Sequence, residues 1–271
     1  MTTMLSHERY CSEILGETDR LRAALSEGGA DVSVTVPTCP EWTLGHLLLH
    51  VGQAHRMATM LVREQIMEFV PPAAAARTDP APAPGEPSTD DLPGLTAWLA
   101  EGAGELVEVL RKAGPDSPVW TFSEHQRSGF WARRMAHETL MHRADVLGTL
   151  GLPFTAEPAL AADCIDEWLS ILALPAAVAF KPRLAELPGP GRTLHLHATD
   201  TPAELDAEWF IDLTGEGVAW RRAHEKAAVA VRGPLTDVLS VLFSRLPADT
   251  DRVEILGDRE LFDFWLERAV F

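Results

Sequence analysis

The stretch Met135-Ala136-His137-Glu138-Thr139-Leu140-Met141-His142-Arg143-Ala144-Asp145, preceded by Phe130-Trp131-Ala132-Arg133-Arg134, decides how this chain is read. It lies in a segment, about 129–149, that reads as a helix closed by Gly151 and Pro153. On a helix Glu138 and His142, four residues apart, share one face one turn apart. That spacing suits two ligands of one metal ion. The histidines of the pattern do not form a metalloprotease HExxH, because His137 and His142 are five apart and diverge by about 140° around a helix. His137 is therefore expected to point elsewhere. Asp145 falls on the same face as Glu138 and His142. It reads either as an outer carboxylate orienting a histidine or as an ion-pair partner of Arg133, Arg134 or Arg143.

A third ligand must come from another helix. His50 sits in the apolar run Leu47-Leu48-Leu49-His50-Val51-Gly52, and His46 lies one turn before it. Spacing alone does not choose between them, and a lone histidine in such a run is more often a satisfied core residue.

Outward from these segments, apolar spacing predicts helices over 4–28, 44–69, 90–113 and 157–179. Thr43 is the expected N-cap of the second, after a linker that holds Pro37 and Pro40. The Pro/Ala-rich stretch 71–89 reads as a loop, and a second loop carries Trp120 and Phe122. After Lys181 the composition shifts, and Leu187-Pro188-Gly189-Pro190-Gly191 reads as a linker. Beyond it the period changes to two. Strands are expected at Thr193–Ala198, Ala207–Leu213, Gly217–Arg221, Ala227–Arg232 and Val253–Ile255, with helices at Leu235–Leu246 and Glu260–Ala269. The expected fold is an N-terminal four-helix bundle over 1–182 and a smaller α+β domain over 190–271.

Composition narrows the function classes. The 271 residues carry 23 Lys+Arg against 40 Asp+Glu, a net charge of −17. Such a surface repels phosphate backbones and anionic membranes, so neither nucleic acid nor membrane is expected as a partner. No apolar run approaches the ~20 residues of a membrane span, and no signal-peptide pattern opens the chain. Cys11, Cys39 and Cys164 are far apart and form no CxxC, which fits a reducing compartment. A cytoplasmic location is expected.

Two segments carry a resemblance. Val36-Pro37-Thr38-Cys39-Pro40-Glu41-Trp42-Thr43-Leu44-Gly45-His46-Leu47-Leu48-Leu49-His50-Val51-Gly52 and Phe130–Asp145 resemble the paired signatures of the mycothiol-dependent maleylpyruvate isomerase family. That family belongs to the DinB-like metal-binding bundles. The C-terminal half is similar to the family's small, sterol-carrier-like α+β domain. The resemblance implies His50, Glu138 and His142 as ligands of a divalent ion, zinc in the family, with positions open for water or a thiol. Ligand type alone also admits nickel, cobalt or iron.

It further implies a low-molecular-weight thiol, mycothiol, as cosubstrate, whose sulfur the metal would turn into thiolate at neutral pH. Addition to maleylpyruvate gives a single bond that rotates, and elimination leaves the trans isomer. With another electrophile the product is a thioether, which is S-transfer. The chain departs from the family at Ala144, where an aromatic residue is common.

Arg133 and Arg134 read as holders of an anionic substrate or thiol, against the plainer reading of solvated helix charges. His46 reads as a proton shuttle or as a capped surface histidine. Trp42 and Cys39 read as packing residues. His195 and His197 share one face of a strand, which is solvated unless they bind a metal. The expected partners are the thiol and a small electrophilic anion, on a monomer or homodimer. Two alternatives stand beside the thiol enzyme. One is a non-catalytic bundle stabilised by its metal, with the α+β domain binding a hydrophobic ligand or a protein partner. The other is a metallohydrolase, for which His46 is the candidate base.

Overall fold

Helix α1 (His7–Glu27) turns Tyr10, Ile14, Leu21 and Leu25 inward. A two-stranded hairpin follows, β1 (Thr35–Val36) and β2 (Cys39–Thr43), where the sequence suggested only a linker. Its strands are too short for an alternating pattern to register. Thr43 ends β2 and caps α2 (Leu44–Arg63): its hydroxyl accepts from the His46 backbone N–H, and His46 Nδ1 accepts in return from the Thr43 N–H. Helix α2 stops at Arg63, short of the expected 69, because Gln65 turns into the left-handed region (φ 48°).

Asp91 caps α3 (Leu92–Ala113), which ends at Gly114 (φ 72°). Helix α4 (Ser128–Thr149) is buried on most of its circumference, its polar residues His137, His142, Arg143 and Asp145 included. Those polar groups must therefore find partners inside the protein. Helices α1 and α2 each pack against both α3 and α4. The core between them holds Leu21, Leu25, Leu47, Leu48, Val51, Leu95, Leu99 and Val146.

The structure, a computed structural model, describes residues 5–27, 29–68 and 81–269. Of the loop expected over 71–89, residues 71–80 lie outside the described residues, and 81–89 run in turns and coil up to α3.

Contacts divide the chain between Phe154 and Thr155. The boundary expected at 182 is therefore corrected. Helix α5 (Pro158–Leu172) belongs to the second unit, where it packs on α7 (Leu235–Leu242) and on β5 (Ala219–Arg222). It is also shorter than the expected 157–179: Pro175 cannot continue a helix, and a separate turn, α6 (Ala177–Phe180), follows.

The sheet of this unit has the order β5-β4-β3-β6-β7, with β3 (Thr193–Ala198), β4 (Glu208–Asp212), β6 (Val229–Gly233) and β7 (Glu254–Gly257). All pairs are antiparallel except β3 with β6. Helix α7 packs on β3 and β6, and α8 (Arg259–Ala269) on β6. Leu194, Leu196, Trp209, Ile211, Val229 and Val231 are buried. Behind β4, Asp166 of α5 accepts from Arg222 Nε and Nη2 (2.8 and 2.9 Å) and from Trp209 Nε1 (2.7 Å). The expected strands and helices of this half all occur, with ends shifted by a few residues. Helix α7 ends at Leu242 rather than 246, where Ser244 adopts φ 57°.

Candidate metal centre

Helices α2 and α4 pack together and bring three side chains to one point. His50 Nε2 donates to Glu138 Oε1 (3.2 Å), and His142 Nε2 donates to the same oxygen (3.1 Å). The three ligand atoms all lie within 4.8 Å of one another. The i, i+4 relation puts Glu138 and His142 on one face of α4, as the spacing predicts, while His50 arrives from the facing helix.

The histidines are held from behind. His142 Nδ1 donates to Asp145 Oδ2 (2.8 Å), and Thr38 Oγ1 donates to Asp145 Oδ1 (2.6 Å). Asp145 thus stands where the orienting reading of it requires. Thr38 sits in the turn between β1 and β2, and β1 packs on α4, so the hairpin exists where it supports the site. Trp42 of β2 lays its ring 4.8 Å from that of His50. Trp42 therefore packs against a site residue as well as against the core.

Charge is concentrated at this point. Burial alone raises a carboxyl pKa, but His142, His50 and Arg134 hold Glu138 well below the usual carboxylate range. Burial lowers His142, yet Glu138 and Asp145 outweigh it and push it up to about 9. Arg134 Nη2 donates to the second oxygen of Glu138 (3.1 Å). His55, one turn and a half beyond His50, is fully buried. Its Nε2 donates to Thr139 Oγ1 (2.9 Å), and burial depresses its pKa to about 4.

The donor set suits a divalent ion: two imidazole Nε2 atoms and one carboxylate oxygen converge, and a carboxylate anchors the far nitrogen of one imidazole. The side chains of His50, Glu138 and His142 are 34%, 22% and 11% exposed, so the group is reachable from solvent.

The other expected site residues distribute as follows. His46 lies in the cap of α2, and its Nδ1 is engaged by the Thr43 N–H. Arg134 joins the group through Glu138, and Arg133 is the next residue back along α4. His137 turns away, its ring 6.0 Å edge-on to Tyr10 of α1. Arg143 pairs with Glu17 of α1. Sequence reasoning missed Thr38 as a supporting residue and Glu17 as the partner of Arg143, because both lie more than 100 residues from their partners in the chain.

The model of the mycothiol maleylpyruvate isomerase N-terminal domain matches residues 11–147, and that of the family's C-terminal domain matches 159–264. No curated protein matches the chain. Among solved structures, a crystal structure of the mycothiol-dependent maleylpyruvate isomerase shares the fold. Its TM-score is 0.56 at 19% identity, covering 93% of this chain and 95% of that one. A histidine-to-alanine mutant of a mycothiol-dependent maleylpyruvate isomerase has the same TM-score at 18% identity, with the same coverage. Domain matches on both sides of the boundary, a shared fold over nearly the whole length and the paired signatures agree: the chain belongs to the mycothiol-dependent maleylpyruvate isomerase family.

Proposed function

We propose that this protein is a metal-dependent enzyme that uses a low-molecular-weight thiol of the mycothiol type to isomerise, or transfer sulfur to, a small electrophilic anion such as maleylpyruvate. The observation that carries this reading is the convergence of His50 Nε2, Glu138 Oε1 and His142 Nε2 in a chain of this family. His50, Glu138 and His142 would hold a divalent ion, with zinc the first choice, which would lower the pKa of a thiol and so supply thiolate at neutral pH.

The residues divide the remaining work. His50 and His142 offer imidazole nitrogens from opposite helices. Asp145 and Thr38 fix the ring of His142, so its Nε2 stays directed at the group. Glu138 would offer one oxygen to the ion, while its other oxygen accepts from Arg134. Arg133 and Arg134 are assigned the carboxylates of the substrate, as a guanidinium pairs with a carboxylate bidentately. His46 is assigned the proton transfer from its Nε2, since its Nδ1 accepts from the Thr43 N–H. Isomerisation needs the thiol's carbon–sulfur bond to form and break again, with no net proton. S-transfer needs one proton delivered to the substrate carbon.

The test is conversion of maleylpyruvate in the presence of mycothiol. Zinc-loaded wild type is compared with chelator-stripped protein and with Glu138→Gln. Turnover only in the loaded wild type supports the reading. Turnover that survives stripping contradicts the metal's role, and thioether in place of the trans isomer selects S-transfer.

A further inference from the structure

A second group of ligating side chains lies on the sheet of the C-terminal unit. Strand β3 alternates Leu194, His195, Leu196 and His197, with both leucines buried, so the two histidines share the other face. In the β3–β4 register His197 stands opposite Glu208 and His195 opposite Phe210, which brings Glu208 onto that face as well. Two residues past β5, His224 comes over the same spot. Glu208 Oε2 then meets His195 Nε2 at 2.9 Å, His197 Nδ1 at 3.0 Å and His224 Nδ1 at 2.6 Å. The three rings stand 5.4–5.8 Å apart and steeply inclined to one another. One atom from each of the four residues lies within 4.8 Å of every other.

We propose that His195, His197, His224 and Glu208 form a second metal site, specific for a divalent transition ion of the zinc class. Three imidazoles crowd onto one carboxylate oxygen: its two in-plane lone pairs take His195 and His224, and the His197 nitrogen stands beside them at 3.0 Å. As neutral imidazoles they instead offer three lone pairs converging with one anionic oxygen, a complete four-coordinate N/O set for such an ion. With metal–ligand bonds of about 2.0–2.1 Å, tetrahedral ligand atoms stand about 3.3 Å apart. Small side-chain rotations reach that spacing from the distances present here. Four protein ligands leave no open position. The ion is therefore a clip, tying the end of the edge strand β5 to β4 and β3, and not a second reaction centre. Nothing in this assignment depends on the bundle site.

The test is zinc content by mass spectrometry on the untagged full-length chain, stripped with chelator and re-equilibrated with zinc alone. Wild type is expected to hold two equivalents. His224→Ala removes a ligand whose side chain is 75% exposed, so its fold is not at issue, and at least 10-fold weaker binding of one equivalent is expected. His197→Ala/His224→Ala is expected to lose that equivalent entirely. His142→Ala separates the two sites, and it should still bind one zinc, which disappears when His197→Ala/His224→Ala is added. Zinc content and affinity unchanged in both sheet variants overturn the proposal, as does a metal-free His142→Ala protein. Equal zinc in wild type and His142→Ala would count against the bundle site only, provided that the sheet variants still lose theirs.

Discussion

Arg143 follows a proposed ligand directly in sequence, yet it serves the fold. Its guanidinium reaches across to Glu17 of α1 and lies 4.8 Å over the ring of Phe154. The two side chains are 7% and 1% exposed, so this is an interior ion pair, not a surface pair of the 0–1 kcal/mol class. Arg143→Met leaves the Glu17 carboxylate buried and undercompensated, for which the expected cost is about 3–5 kcal/mol. Arg20 Nη1 still reaches the other Glu17 oxygen (2.6 Å), so the loss should fall near 3 kcal/mol, the lower end of that range. In urea denaturation of chelator-treated protein, the midpoint should drop with the slope unchanged. Glu17→Leu/Arg143→Met removes both charges and should recover most of the loss. A single-variant loss under about 1 kcal/mol, or a double variant equal to the sum of the singles, would refute the interior-pair reasoning.

Three further outcomes follow from the same contacts. His55 has a folded pKa of about 4 against about 6.5 unfolded, so the unfolded chain takes up its proton first as pH falls. Between pH 7 and 5 it should remove about 2 kcal/mol of stability, and the non-titrating His55→Gln should lose that much less over the same interval; parallel curves would contradict its neutral burial. Asp145→Asn weakens the support of His142 and should reduce zinc affinity by about 10–100-fold, measured by competition with a chromophoric chelator; a change under threefold would deny Asp145 its orienting role. Gly52→Ala puts a Cβ 2.1 Å from Trp98 Cζ3. Overpacking should outweigh the gain in helix propensity and leave a net loss of about 1–2 kcal/mol, so a stabilised variant would show that Trp98 moves aside freely.

The elements with strong local signals were legible in the sequence. Helices α2 and α3 carry apolar spacing, α2 with Thr43 as a capping residue at its front, and β3 to β6 alternate between flanking turns. Legibility failed where structure depends on partners distant in the chain. The hairpin at 35–43 is held by α4 and α2 more than by its own strand propensity. Helix α5 has the composition of a bundle helix, but its Asp166 is spent on Trp209 and Arg222, which fixes it to the sheet.

The metal centre divides in the same way. Glu138 and His142 are local, a single turn apart, and needed no tertiary information. The choice of His50 over His46 came from family resemblance, and the geometry supplies a physical reason for it: His46 is the third residue of its helix and closes the capping box, while His50 faces α4. Thr38, Trp42 and Glu17 needed the assembled bundle. Glu208 and His224 needed the strand register, so only half of the sheet cluster was visible as the alternating His195 and His197.

The most direct test of the account is the difference in bound zinc between untagged wild type and His142→Ala, both stripped and reconstituted side by side. The account predicts one equivalent fewer in the variant, with maleylpyruvate turnover lost along with it. The same zinc content in both proteins would contradict the metal centre at His50, Glu138 and His142, and the thiol chemistry built on it.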